Sequence, residues 1–111
     1  MKATPSRRAS RLADQIAREM AIALAEDVQD PRLELVTISG AALNADMSIV
    51  RIYYTLSGDE ARLAEAAKGL EQAKGFLRTL LGKRLRIRSV PELRFARDTY
   101  LEDMVYARPE A

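Results

Sequence analysis

The stretch Ala73–Phe95, AKGFLRTLLGKRLRIRSVPELRF, limits the possible folds more than any other part of the chain. It opens with helical spacing, meets Gly75 early, and passes through Gly82 into a run of alternating basic and apolar residues. A period near 3.6 giving way to a period of two marks a helix handing over to extended chain. Pro91 interrupts that run, and Leu93-Arg94-Phe95 reads as a short last strand with Leu93 and Phe95 facing the core. Such a strand needs a sheet to join, and the leucines before it need a layer to pack against.

The preceding residues supply both. Ser6 is placed to N-cap a helix running to about Val28, with Leu12, Ala13, Ile16, Ala17, Met20, Ala23, Leu24 and Val28 on one side. Arg11, Asp14, Arg18 and Glu19 form the solvated side. Asp30-Pro31-Arg32 ends the helix, because Pro31 biases Asp30 out of the helical region. Glu26, Asp27, Asp30 and Glu34 near this corner lack the spacing and local glycine of a calcium loop, so they read as a solvated acidic turn rather than a metal site.

Leu35–Leu43 and Ser48–Leu56 read as two strands joined by the turn Asn44-Ala45-Asp46 into an antiparallel hairpin. Val50, Ile52, Tyr54 and Leu56 share one face; Arg51, Tyr53 and Thr55 share the other, where Tyr53 either covers the sheet or stacks a base. Ser57 with Glu60 fits a capping box for the next helix. Its buried stripe is Leu63, Ala66, Ala67, Leu70 and Ala73, continued by Leu77, Leu80 and Leu81 past a bend at Ala73-Lys74-Gly75. Gly82 reads as a left-handed C-cap. Gly75 and Gly82 also lie away from the leucines, leaving a bare lane edged by Arg78 and Thr79 that suits a phosphate chain. Asp98–Tyr106 forms at most a weak terminal turn.

The expected order is therefore α-β-β-α-(bend)-α-β, an α+β two-layer domain with helices on one face of a three-stranded sheet. Residues 1–111 read as a single domain with an ordered core at about 6–98, a short flexible N-terminal tip and a C-terminal tail. The basic N-terminus has no apolar run behind it and is not a secretory signal, and no apolar run is long enough to span a membrane.

Charge narrows the function. Residues 72–97 hold eight basic side chains against one acid, Glu92, so the segment is near +7 and the rest of the chain near −5. Such polarisation points to a polyanionic partner. The absence of Cys and His excludes disulfides, thiolate metal sites and the Ser–His and Cys–His nucleophile pairs. A cytoplasmic protein with no cofactor and no catalytic residues is the expectation. Candidate RNA-binding residues are Lys74, Gly75, Arg78, Gly82, Lys83, Arg84, Arg86 and Arg88, with Arg7, Arg8 and Arg11 in support. Arg and Lys neutralise phosphates, while scarce aromatics argue for backbone and shape reading rather than base reading.

The motifs RLADQIAREMA, Asp30-Pro31-Arg32, Leu43-Asn44-Ala45-Asp46 with Val50-Arg51-Ile52-Tyr53, and AKGFLRTLLGKRLRIRSVPELRF occur in that order. Together, from about Arg7 to Asp98, they resemble the ribosome-binding factor A family. The resemblance implies a type II KH-like fold in which an Ala-x-Gly bend, here Ala73-Lys74-Gly75, replaces the Gly-x-x-Gly loop of ordinary KH domains. It implies a monomeric, non-enzymatic ribosome biogenesis factor that binds the immature 30S subunit, on 16S rRNA around the neck and decoding region with ribosomal proteins nearby. A role in late rRNA processing and cold adaptation, and departure assisted by a GTPase assembly factor, belong to the same implication. Lys74 stands where the family more often has a small residue, and the longer C-terminal tail of some relatives is absent. The alternatives are a sequence-tolerant KH-type module for single-stranded nucleic acid, a metal-dependent nuclease, and a protein-only adaptor. The first would need a Gly-x-x-Gly loop, the second a cluster of carboxylates.

Overall fold

A computed structural model describes residues 6–106; the expected N-terminal tip, and the tail beyond Tyr106, lie outside them. The chain forms α1 (Arg7–Glu26), a 3-10 turn (Pro31–Leu33), β1 (Thr37–Leu43), β2 (Ile49–Thr55), α2 (Glu60–Leu85), β3 (Glu92–Arg97) and α3 (Thr99–Tyr106). The sheet order is β1-β2-β3, with β1 and β2 antiparallel and β3 parallel to β2. A parallel partner requires a crossover, and α2 is that crossover. Helices α1 and α2 pack on the sheet, giving the α+β two-layer, KH-like arrangement.

Ser6 caps α1 as expected, its Oγ accepting from the Ala9 amide at 3.0 Å. Ile16 and Met20 of α1, Val50 and Ile52 of β2, Leu77 and Leu81 of α2 and Leu93 of β3 meet in the main core. Leu33, Tyr54 and Leu70 form a second cluster, and half-buried Phe95 packs against both. The β2 alternation holds through Val50, Ile52, Tyr54 and Leu56, all buried. Thr55 departs from it, being only 5% exposed. The reason is α3, which reaches the same end of the sheet: Glu102 accepts from the Leu56 amide at 3.0 Å and from Arg97 Nη2 at 2.6 Å. The weak terminal turn is thus a helix with a structural carboxylate.

Four local expectations are corrected. First, α2 is one uninterrupted helix through Gly75, not two pieces. A glycine inside a helix costs only about 1 kcal/mol, whereas a break would uncouple the buried Leu70 from Leu77 and Leu81. Second, Gly82 is not the C-cap; the helix continues to Leu85, and Arg86 takes the left-handed conformation with φ 52°. Third, the alternating run Lys83–Arg88 is not extended from its start, because its first half completes α2. Fourth, the N-cap of α2 is Asp59 rather than Ser57, its carboxylate accepting from the Arg62 amide at 2.8 Å. Gly58, at φ 146°, makes the turn that brings Asp59 there.

The Asp30-Pro31-Arg32 corner, expected as a solvated acidic turn, is a hydrogen-bonded clamp. Asp30 accepts from the Arg32 amide at 3.0 Å and from its guanidinium at 2.7 Å, and Arg32 reaches on to Gln72 Oε1 at 2.7 Å. Those hydrogen bonds and the ion pair hold the Asp30 carboxyl below its ordinary range. Gly69 lets α2 approach closely, since a Cβ there would sit 2.9 Å from Leu33 Cδ2.

Candidate nucleic-acid interface

The first two turns of α1 carry Arg7, Arg8 and Arg11, all exposed, and the first turn holds no acid. A helix N-terminus presents unpaired amides and a partial positive charge, so an acid there would be favourable; arginines instead add to the positive field. Arg7, Arg8, Arg11, Leu12 and Gln15 line one wall of an open groove of about 750 Å³. Asp46, Met47 and Ser48 of the hairpin turn, with Ile87, Arg88 and Ser89 of the loop after α2, line the rest. Four guanidinium groups from two distant parts of the sequence thus border one concavity. None of the four has an ion-pair partner among the described residues, whereas other arginines do.

The groove has a firm rim. Asp46 accepts from the Ser48 amide at 3.0 Å and from its hydroxyl at 2.5 Å, and Asn44 Oδ1 accepts from the Ile49 amide at 2.9 Å. The hydroxyl bond, with the amide bond behind it, lowers the Asp46 pKa, so this carboxylate stays charged beside the arginines. Met47, at φ 61°, completes the tight turn. The single acid gives the groove a side that repels phosphate and a side that attracts it.

The other candidate residues divide into two sets. Lys83, Arg86 and Arg88 are exposed and carry no ion pair among the described residues; Arg86 and Arg88 flank Ile87 of the groove. Lys74, Arg78 and Arg84 are engaged within the protein. Lys74 pairs with Glu71 at 2.6 Å. Arg78 donates to the carbonyls of Val90 at 2.7 Å and Pro91 at 3.3 Å, tying the loop before β3 to α2. Arg84 joins α2 to α1 through Asp27 at 2.8 Å and Glu19 at 3.8 Å.

The glycine lane between Gly75 and Gly82 is not continuous. Nothing lies within 4 Å of a Cβ built on Gly75, but one on Gly82 would meet Val90 Cγ2 at 3.1 Å. The loop that Arg78 holds therefore covers the C-terminal end of the lane. Thr79 turns its hydroxyl inward, donating to the Gly75 carbonyl at 3.0 Å. Gly75 alone remains an open position, and no phosphate seat spans both glycines.

Sequence reasoning missed Leu12, Gln15 and the hairpin turn as groove walls. The turn was visible as Asn44-Ala45-Asp46, but only the packing of α1 on the sheet places it beside the start of that helix. No group of three or more His, Cys, Asp or Glu residues among the described residues is arranged to hold a metal ion. Among the described residues, no helix is long and apolar enough to cross a membrane.

Comparison with known proteins agrees with this architecture. Residues 8–108 match the family profile described as ribosome-binding factor A. The ribosome-binding factor A of Thiobacillus denitrificans is 42% identical over 95 residues, covering 86% of this chain and 77% of that protein. The crystal structure of ribosome-binding factor A from Thermus thermophilus superposes with a TM-score of 0.72 at 28% identity, covering 91% of this chain and 99% of that one. Coordinates of the Thermus thermophilus factor fitted into the cryo-EM map of its complex with 30S give a TM-score of 0.56 at 30% identity, covering 76% and 92%. With the profile spanning nearly the whole chain and the fold shared, this protein belongs to the ribosome-binding factor A family.

Proposed function

We propose that this protein is a non-enzymatic assembly factor that binds the immature small ribosomal subunit through its rRNA. The observation that carries the reading is the groove where Arg7, Arg8 and Arg11 meet Arg88, with all four guanidinium groups uncommitted to acids among the described residues. Guanidinium forks match phosphate oxygens, and the open helix N-terminus reinforces them. A Thermus thermophilus relative fitted into a 30S complex supports the choice of partner. Family membership supports the finer reading: binding near the neck and decoding region of 16S rRNA, promotion of late rRNA processing, a part in cold adaptation, release assisted by a GTPase, and action as a cytoplasmic monomer.

The single-strand KH reading is disfavoured by α2. The positions from Gly69 to Gly75 lie inside a continuous helix, so the backbone loop on which that reading depends has no place there. The test is sedimentation of tagged protein in cell extract on a sucrose gradient, before and after nuclease treatment. The expected result is co-migration with free small subunits, little with translating ribosomes, and loss after nuclease. Binding that survives nuclease treatment would favour a protein-only adaptor instead.

A further inference from the structure

Phe76 of α2 is half exposed, beside the buried stripe of the helix. Single exposed apolar side chains are ordinary on protein surfaces, so exposure alone assigns nothing. The setting is what differs. Gly75, the residue before Phe76, carries no side chain, and open space lies where its Cβ would be. Thr79, one turn further on, has its hydroxyl folded back onto the Gly75 carbonyl and so withdrawn from the surface. Gln72, one turn earlier, is held by Arg32. Lys83 shares this side of the helix at a spacing of seven residues, is exposed, and has no ion-pair partner among the described residues. Helical side chains lean toward the N-terminus, which carries the Lys83 ammonium back toward the ring.

We propose that Phe76 is a stacking platform for an unpaired RNA base, with Lys83 neutralising a neighbouring phosphate. The proposal rests on the RNA reading above and adds to it a ligand class, the splayed-out nucleotide, that the arginine groove by itself does not select. A ring standing out from a helix reaches the face of a base only where that face is uncovered, as in loops, bulges and ends, because faces inside a duplex are already stacked. Charge favours nucleic acid over an apolar protein partner: the acid on this side of α2, Glu65, is paired with Lys68, which leaves Lys83 as a net positive charge.

The test compares wild-type protein with F76A, F76L, F76Y and K83A, using an unstructured RNA oligonucleotide containing 2-aminopurine and a blunt RNA duplex of the same length. Far-UV circular dichroism and thermal unfolding check that each variant is folded, which the half-exposed position favours. F76A and F76L should bind the single strand roughly 5- to 150-fold more weakly, the range for loss of one base–aromatic stack. They should also abolish the 2-aminopurine quenching while leaving duplex binding unchanged; F76Y should keep both signals, and K83A should weaken both RNAs. Equal affinity of F76A and wild type for the single strand overturns the proposal and leaves the groove reading standing. Equal loss on single strand and duplex also overturns it, because stacking cannot act on both. F76A that binds RNA normally but fails to join small-subunit particles places the ring against a protein, which is again a refutation. Absence of salt-dependent binding by wild type to either RNA removes the RNA reading, and this proposal with it.

Discussion

Replacing Gly75 by alanine separates the two accounts of the long helix. A bend that depended on glycine would resist the substitution, because an alanine forced into a left-handed or broken backbone is strained. The structure makes the opposite demand. Gly75 lies inside α2, has no positive φ, and offers open space where the new Cβ would go. Glycine is about 1 kcal/mol worse than alanine in a helix interior, chiefly through the entropy of the unfolded chain. Since no contact is lost, G75A should be more stable by about 0.5–1 kcal/mol, which for a domain of this size raises the unfolding midpoint by roughly 4 °C. Urea denaturation should show a higher midpoint at unchanged slope, because the surface exposed on unfolding is the same. A lower midpoint would falsify the continuous helix at this position and restore the bend.

Three further perturbations address other parts of the structure. G69A adds the same methyl group where it meets Leu33 at 2.9 Å and Asp30 at 3.2 Å; it should destabilise by about 1–2 kcal/mol in spite of better helix propensity, and a stabilised G69A in thermal melts would mean the corner is not clamped on α2. R84A removes the tie to Asp27 and Glu19 and should cost about 1 kcal/mol at low salt, shrinking as salt rises; a cost that does not depend on salt would point to packing instead. Glu102 is buried, which raises its pKa, but bonds from Arg97 and the Leu56 amide outweigh this and leave it below the ordinary 4.5. A depressed folded pKa means that its contribution is present above the ordinary value and is lost as pH falls through the folded one. E102Q should therefore cost about 1–3 kcal/mol at neutral pH, with the gap to wild type closing below about pH 4.5; parallel pH profiles would contradict this role.

The elements that were legible in the sequence are those set by burial. Ile16 and Met20 on one helix, Val50, Ile52 and Tyr54 on one strand, and Leu77 and Leu81 on α2 all repeat with the period of their element, and all are buried. The errors fell where backbone preference competed with packing. Gly75 and Gly82 carry a helix-breaking tendency, but Leu70 buried in one cluster and Leu77 and Leu81 in the other override it. Arg86 takes a conformation that glycine usually fills, and no pattern in a single sequence signals that. For the interface, the basic character of residues 72–97 was plain, yet a charge count does not say which cations are committed. Arg84 and Arg78 are used to fasten the fold, while Arg7, Arg8 and Arg11, which seemed secondary, line the groove. That distinction needs three-dimensional partners such as Asp27 and the Val90 carbonyl.

The central claim is that the arginine groove grips rRNA phosphates. It is tested most directly by the salt dependence of binding to purified immature small subunits, measured for wild type and for the variant carrying R7Q, R11Q and R88Q. Each phosphate contact contributes about 0.7–0.9 to the slope of log affinity against log salt. The account predicts that the triple variant binds more weakly and that its slope is shallower by about 2–3, with helix content unchanged. A variant whose line lies on that of the wild type would show that the RNA is held elsewhere.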